Sequence, residues 1–438
     1  MRPIHRFSLC AALLAAASPA APQQPPAPSV APWSTPALSH VPTPSWLSMG
    51  GEIRTRLESR RGMGYRPDAS DSYALVRTRV NLDVRPTRLV RVSLQGQDAR
   101  APGMAGTVSG AFRDPFDLRL AYVRVGAPEN ATLAISVGRQ LFSYADQRLI
   151  GPLDWTNTSR TFDAAKLEVR TRWADLDVWA AAVVQNDPQK PVNRSDLDNA
   201  FHGAYAQVRT GMDQLVVEPF VLWREYASVG SLPQGDRFTA GVRLVGRVRR
   251  LESAVAVVEQ WGERGTDEIS ARAVLASAAY PFPGPWTPRL YAEYNYASGD
   301  GRPGDGTIES FDDMYPTAHL YYGYNDLVGL RNLANVRVGA SAVPWRRLTL
   351  AVDLHSFRLA TGSDHLYNAA SVATVMAPAG GATDRSVGQE VDVSFTLPVA
   401  QTLSLSGGIG RLFTGPFLEA NSAGADNTFV HLALAMRF

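Results

Sequence analysis

"TFVHLALAMRF" closes the chain, from Thr428 to Phe438. Val430, Leu432, Leu434, Met436 and Phe438 fall on one face of an extended strand, and His431, Ala433, Ala435 and Arg437 on the other. Chain ends usually fray. An end that alternates up to a final aromatic residue is patterned to be held along its whole length. Soluble antiparallel sandwiches alternate too, so the decision rests on how many such segments there are and how they are joined.

Working back from the terminus, about eighteen segments of roughly ten residues repeat this pattern, an even number within the range of outer-membrane barrels. In "YALVRTRVNLDV" (Tyr73 to Val84), Ala74, Val76, Thr78, Val80, Leu82 and Val84 share one face, and Leu75, Arg77, Arg79, Asn81 and Asp83 the other. The connectors take turns in length. Short ones are "RPTR" at Arg85, "TGMDQ" at Thr210, "PWRR" at Pro344 and "PVAQT" at Pro398; long ones run about 141–161, 185–200, 298–332, 360–387 and 413–428. Tight periplasmic turns alternating with long outer loops are what an outer-membrane barrel requires. In hydrocarbon every backbone N–H and C=O must be paired within the protein, so such a sheet must close. The sequence therefore predicts an all-β, antiparallel, up-and-down transmembrane β-barrel in the bacterial outer membrane, with both ends of the barrel on the periplasmic side and its outer face against lipid.

The chain has 438 residues, a formal net charge of +2 and 45% hydrophobic residues. That balance carries no basic signal for nucleic acid. Arg2, His5 and Arg6 precede the apolar "FSLCAALLAAA", then the small residues "SPA", which reads as a signal peptide over 1–20. The only cysteine, Cys10, lies inside it, so the mature chain has no thiolate for disulfides or metal. The proline-rich 21–46 reads as a disordered leader and 47–438 as the barrel. Trp46, Tyr65, Tyr73, Trp155, Trp173, Trp223, Trp261, Trp286, Tyr291 and Trp345 lie near segment ends, as an interfacial aromatic girdle would.

The register turns Glu52, Arg54, Arg56, Glu58, Arg77, Arg79, Asp83, Glu168, Arg170, Arg243, Glu293, Arg337, Asp353, Glu390 and Asp392 inward. Each arginine would cost ~2–4 kcal/mol on the lipid face at mid-depth. A wet lumen so lined concentrates anions, and the guanidinium fork suits carboxylates. In "DLRLAYVRV" (Asp117 to Val125) the register of Arg119 and Arg124 is undecided.

"GRQLFSYADQRLIGPLDWTNTSRTFDAAKLEVR" (Gly138 to Arg170) resembles the signature region of the alginate export family of outer-membrane proteins. It does so through Gly138, Arg139 and Gln140, through Tyr144, Asp146, Gln147 and Arg148, through Asp154, Trp155 and Asn157, and through Arg160, Phe162, Asp163 and Ala164. Ala145 stands where glycine is common in that family. The stretches 298–333 and 387–418 resemble its long acidic loop and closing hairpin. The resemblance implies an eighteen-stranded barrel with an arginine-rich constriction, allied to secretion of alginate. It also implies that the strand ending in Phe438 is read by the barrel assembly machinery.

The expected pore residues are Arg77, Arg79, Arg139, Arg148, Arg160 and Arg170, with Asp146, Asp163 and Glu168 as their partners. The density of charge in 141–161 predicts a loop folded into or across the lumen. The expected function is a passive, anion-selective channel for an anionic polysaccharide; the alternative is an uptake porin for anionic solutes. A barrel enzyme would need a nucleophile, and no Gly-x-Ser-x-Gly elbow occurs, although His319 lies near Asp312 and Asp313. A surface-binding role would use the loops at 298–332 and 360–387. No catalytic residue, metal ligand or cofactor is assigned. "SGDGRPGDG", with Asp300 and Asp305, is at most faintly like a loop calcium site, lacking the EF-hand spacing.

Overall fold

The computed structural model of the protein describes residues 44–126, 132–190, 192–212, 214–228 and 233–438. The expected signal peptide and nearly all of the proline-rich leader lie outside these residues.

Twenty-one strands are formed among them. The first thirteen are β1 (Leu47–Arg61), β2 (Ser70–Val84), β3 (Val90–Arg100), β4 (Asp114–Val125), β5 (Leu133–Gln140), β6 (Phe162–Arg170), β7 (Ala174–Gln185), β8 (Arg194–Arg209), β9 (Leu215–Tyr226), β10 (Gly235–Val248), β11 (Leu251–Arg264), β12 (Asp267–Pro281) and β13 (Arg289–Ala297). After the two-residue β14 (Thr307–Ile308) come β15 (Leu333–Trp345) and β16 (Leu348–Leu359). A small hairpin, β17 (Leu366–Tyr367) and β18 (Ala373–Val375), precedes β19 (Ser386–Pro398), β20 (Leu403–Thr414) and β21 (Asn427–Arg437). Setting aside β14, β17 and β18, eighteen strands pair antiparallel in chain order. The cylinder closes where β21 pairs β1, from Glu52 opposite Arg437 to Arg61 opposite Thr428. Phe438 exchanges backbone hydrogen bonds with Gly51 (2.8 and 3.1 Å), extending that seam to the last residue.

The pleat sorts side chains as the alternation predicts. Val430, Leu432, Leu434 and Met436 stand exposed on the outer face, as do Val80, Val255, Val257, Val336, Val338, Val352 and Leu354. This is an apolar band for lipid. Connector parity also holds in outline, with one exception: on the outer side only Gly265 and Thr266 join β11 to β12. The connector expected over 185–200 is shorter, 186–193, because β7 and β8 extend as a hairpin.

One expectation needs correction, and one open register is settled. Of the aromatic girdle, Tyr65 and Tyr73 are buried and Tyr291 turns inward to Asp353, while Trp155 lies on a loop inside the barrel. Trp46, Trp173, Trp223, Trp261, Trp286 and Trp345 are exposed as a girdle requires. The undecided register in β4 has a cause: Gln95 pairs Leu120 and Gly96 pairs Leu118, so Arg119 is the extra residue of a β-bulge. Beside it Leu120 is 2% exposed, whereas Leu118 is 49% exposed, although the two share parity. Arg119 and Arg124 thus both face the lumen, on Gln95 and Glu168 respectively.

Candidate functional site

The lumen is occupied by two outer connectors that leave the wall low. β5 has 8 residues and β6 has 9, against 15 in β1 and β2, so residues 141–161 start well inside the cylinder. β13, with 9 residues, releases 298–332 in the same way.

The first loop crosses to the β1–β2 wall. Arg54 donates to the Asp154 and Thr156 carbonyls (3.0 and 2.9 Å), and Arg56 to the Trp155 carbonyl (2.7 Å). The Asp154 carboxylate accepts from Arg79 (2.7 Å), Arg77 (3.2 Å) and Ser159 (2.6 Å). Burial alone would push this carboxyl up, but Arg77, Arg79, Arg54 and Arg119 hold it well below the usual carboxylate range. The amide nitrogen of Asn157 lies within 3.2 Å of three backbone carbonyls, of Val76, Arg100 and Phe112. At the other end of the loop Arg148 meets Asp146 (3.1 Å), Glu293 (2.8 Å) and Asn295 (2.7 Å), and lies over the Tyr321 ring. Burial works against the Arg148 charge, and Glu293 and Asp146 more than restore it.

The second loop packs on the first. Ile150 and Tyr315 form a parallel bridge, and Arg160 donates to the Gly151 and Pro316 carbonyls (3.0 and 3.1 Å). Trp155 stacks on His319 at 3.5 Å, with the Arg56 guanidinium 3.8 Å from the Trp155 ring. Phe142, Phe162, Trp179, Phe201, Phe311 and Tyr322 belong to a buried apolar cluster that joins both loops to the wall.

The expected pore residues therefore sit at different places. Arg77 and Arg79 meet at Asp154. Arg148 and Asp146 lie across the lumen, with Arg243 3.6 Å from Asp146. Arg139 pairs Asp163 (2.9 Å), and Arg160 sits at the junction of the loops. Arg170 pairs Asp177, while Glu168 holds Lys166 (2.8 Å) and Arg124 (2.9 Å). These last groups line a cavity of about 650 Å³ on the periplasmic side, beneath Phe142, Tyr144 and Pro152 of the first loop. Arg85, Arg88, Arg91, Arg124, Lys166 and Arg170 line it, against the carboxylates of Glu168 and Asp177. Asp154, the anchor of the first loop, was not among the expected partners, although it belongs to the "DWTN" run.

His319 pairs with Asp326 (2.9 Å), not with Asp312, which Arg224 and Tyr226 hold. Asp300 and Asp305 accept from backbone amides of their own turn, and among the described residues no group of three or more potential ligands could hold a metal ion.

A family model described as alginate export matches residues 45–431. The chain belongs to the alginate export family. Within it, Gly138 takes φ +121° and Ala145 φ +50°, both in the region that favours glycine. Solved structures share the fold at low identity. Pseudomonas aeruginosa OccK11 (OpdR) has a TM-score of 0.60 at 14% identity, over 90% of this chain and 96% of that one. OccK9 (OpdG) of the same organism gives 0.61 at 14%, over 90% and 98%, and OccK8 (OprE) 0.60 at 12%, over 90% and 98%. No curated protein matches by sequence. Family and fold together make this an outer-membrane β-barrel of the porin type.

Proposed function

We propose that this alginate-export-family barrel is a passive, anion-selective channel for carboxylate-bearing solutes, with an anionic polysaccharide of uronic acids as its leading substrate. The observation that carries the reading is the periplasmic cavity, where six cationic side chains stand against Glu168 and Asp177 on its lining, with Arg91 also paired to Asp83 (2.8 Å). An excess of fixed positive charge in a water-filled mouth raises the local anion concentration. Above the cavity the buried Arg77 and Arg79 meet Asp154, whose side chain is 35% exposed, and Arg77 also meets Glu52. A solute carboxylate would exchange with Asp154 or Glu52 on the same guanidinium forks, weakly enough to leave.

One observation favours a second reading, inward passage of small carboxylates. The cavity is capped by the infolded loops, and about 650 Å³ is the size of a small-molecule site. OpdK, which shares only the fold, has been solved with vanillate.

The test is a planar-bilayer recording across a potassium chloride gradient. The reversal potential is expected on the chloride side. A reversal potential favouring potassium overturns the anion claim. Oligouronates added from the periplasmic side are expected to block. Block by small carboxylates alone assigns the second reading.

A further inference from the structure

Opposite the arginine wall, the inward face of β16 and β19 carries a concentration of acid that the channel reading does not use. Asp353 stands directly across from Asp392, and His355 across from Glu390. Glu390 is 1% exposed and Asp392 2%. Among the described residues no Lys or Arg lies within ion-pair distance of either. The nearest basic group is His355, whose Nε2 is 3.5 Å from Asp392, and the other ring nitrogen of His355 and Oδ1 of Asp392 are buried without a partner. The surrounding cations are engaged elsewhere: Arg337 on Asp353 (2.7 Å) and Glu293 (3.3 Å), and Arg148 on Glu293. On its inward face β20 brings Gly408 and Gly410 and no charge, its one cation, Arg411, pairing with Asp426 (3.1 Å), and β21 brings His431. Tyr291 bonds Asp353, and the buried Tyr65 lies within electrostatic reach of Glu390. Two buried carboxylates on one strand face, with no cation between them, cannot both be ionised at tolerable cost.

What sits on this pair is the tip of the second lumen loop. The Asn325 amide donates to Glu390 (3.0 Å). Gly323, at φ +85°, lets the chain pass so close that a Cβ there would lie 2.6 Å from the Glu390 carboxyl. Tyr324 fits against Gly408 and Gly410, where any Cβ would lie 2.9 Å from it. Tyr324 stacks with His319, and His319 with Trp155 of the first loop, so the tip holds both loops. On the tip's far side Arg60 donates to the Asn325 carbonyl (3.1 Å) and lies 3.9 Å from Asp326, the partner of His319.

We propose that Glu390 and Asp392 form a proton-operated latch for the 319–326 tip. A proton shared by the pair lets the tip rest on the wall. Loss of that proton leaves two buried like charges, draws in water, lifts the tip and loosens the first loop through the Trp155–His319–Tyr324 stack. The consequence for flux rests on the channel reading; the movement of the tip does not.

The test compares wild type with Glu390→Gln and Asp392→Asn in refolded, detergent-solubilised barrel. Hydrogen exchange of residues 319–326 at pH 9 is expected to be about tenfold faster in wild type than in Glu390→Gln, since the amide cannot ionise. In bilayers, wild-type conductance is expected to step up as the pH is raised, and to stay low in both variants. His355→Ala is expected to keep the step. Equal exchange at pH 9 in wild type and in both variants overturns the latch, as does a step that only His355→Ala removes. Should Glu390→Gln not fold, Asp392→Asn alone decides. Absence of conductance at every pH overturns the channel reading and leaves the exchange experiment to judge the latch.

Discussion

At the scale of single residues, Asp154 shows what holds a charge inside a barrel. It lies at the far end of a loop, yet four arginines from the opposite wall converge on it or on its backbone neighbours. Because its folded-state pKa is depressed, its contribution is complete above the ordinary carboxyl value of about 3.9 and is lost as the pH falls below that. The side chain is 35% exposed, so solvent screening trims the anchor to about 1–2 kcal/mol. Asp154→Asn is expected to raise open-channel noise and mean conductance at pH 7, as the first loop loosens. Wild type should acquire that noise only once the pH has fallen well below the ordinary carboxyl value, where Asp154 itself takes up a proton. A quiet Asp154→Asn channel at pH 7 would show that the loop is held by its backbone contacts alone. Inward orientation of Arg54, Arg77 and Arg79 was legible from a period of two. That Asp154 would meet them was not, because loop residues have no register. Arg119 was illegible for a different reason: a one-residue bulge reverses parity, and nothing in "DLRLAYVRV" marks the extra residue.

At the scale of elements, strand length decides where a loop enters. The alternating pattern located all eighteen wall strands, since lipid on one side and water on the other impose it on each. Loop trajectories carry no such period, so that 141–161 enters the lumen was suggested only by its charges, and its packing on 298–332 not at all. The short β5 also explains a glycine. Gly138 sits just below the loop's exit at φ +121°, and a Cβ there would lie 2.3 Å from the Ala121 carbonyl of β4. Gly138→Ala must both strain the backbone and part β4 from β5, a cost of roughly 1–3 kcal/mol or more. Gly106, at φ +70°, has nothing within 4 Å of its Cβ position. The melting temperature of the folded band in semi-native electrophoresis is expected to fall distinctly more for Gly138→Ala than for Gly106→Ala. Equal falls would mean that backbone conformation alone sets the cost and that the β4–β5 approach can relax.

At the scale of the whole molecule, the terminal aromatic acquires a mechanical meaning. A barrel has one seam that no hairpin closes, and here it is β1 on β21. Its last rung is the pair of backbone bonds between Phe438 and Gly51, and the Phe438 ring lies where a Gly51 side chain would begin, 2.5 Å from the Cβ position. The small residue at 51 and the large one at 438 are thus complementary, and both belong to the outer face at the periplasmic edge. Removing Phe438 leaves the Gly51 N–H and C=O unpaired at the membrane boundary, where water only partly replaces the lost bonds. Deletion of Phe438 is therefore expected to slow closure in purified detergent refolding, read as the rate at which the heat-modifiable band appears, and Gly51→Val is expected to do the same while leaving the terminal residue in place. Recognition of the terminal strand by the assembly machinery makes a different forecast: deletion of Phe438 lowers the inserted fraction in cells, and Gly51→Val does not. Normal refolding of both variants in detergent would show that the Phe438–Gly51 rung does not govern closure of the seam.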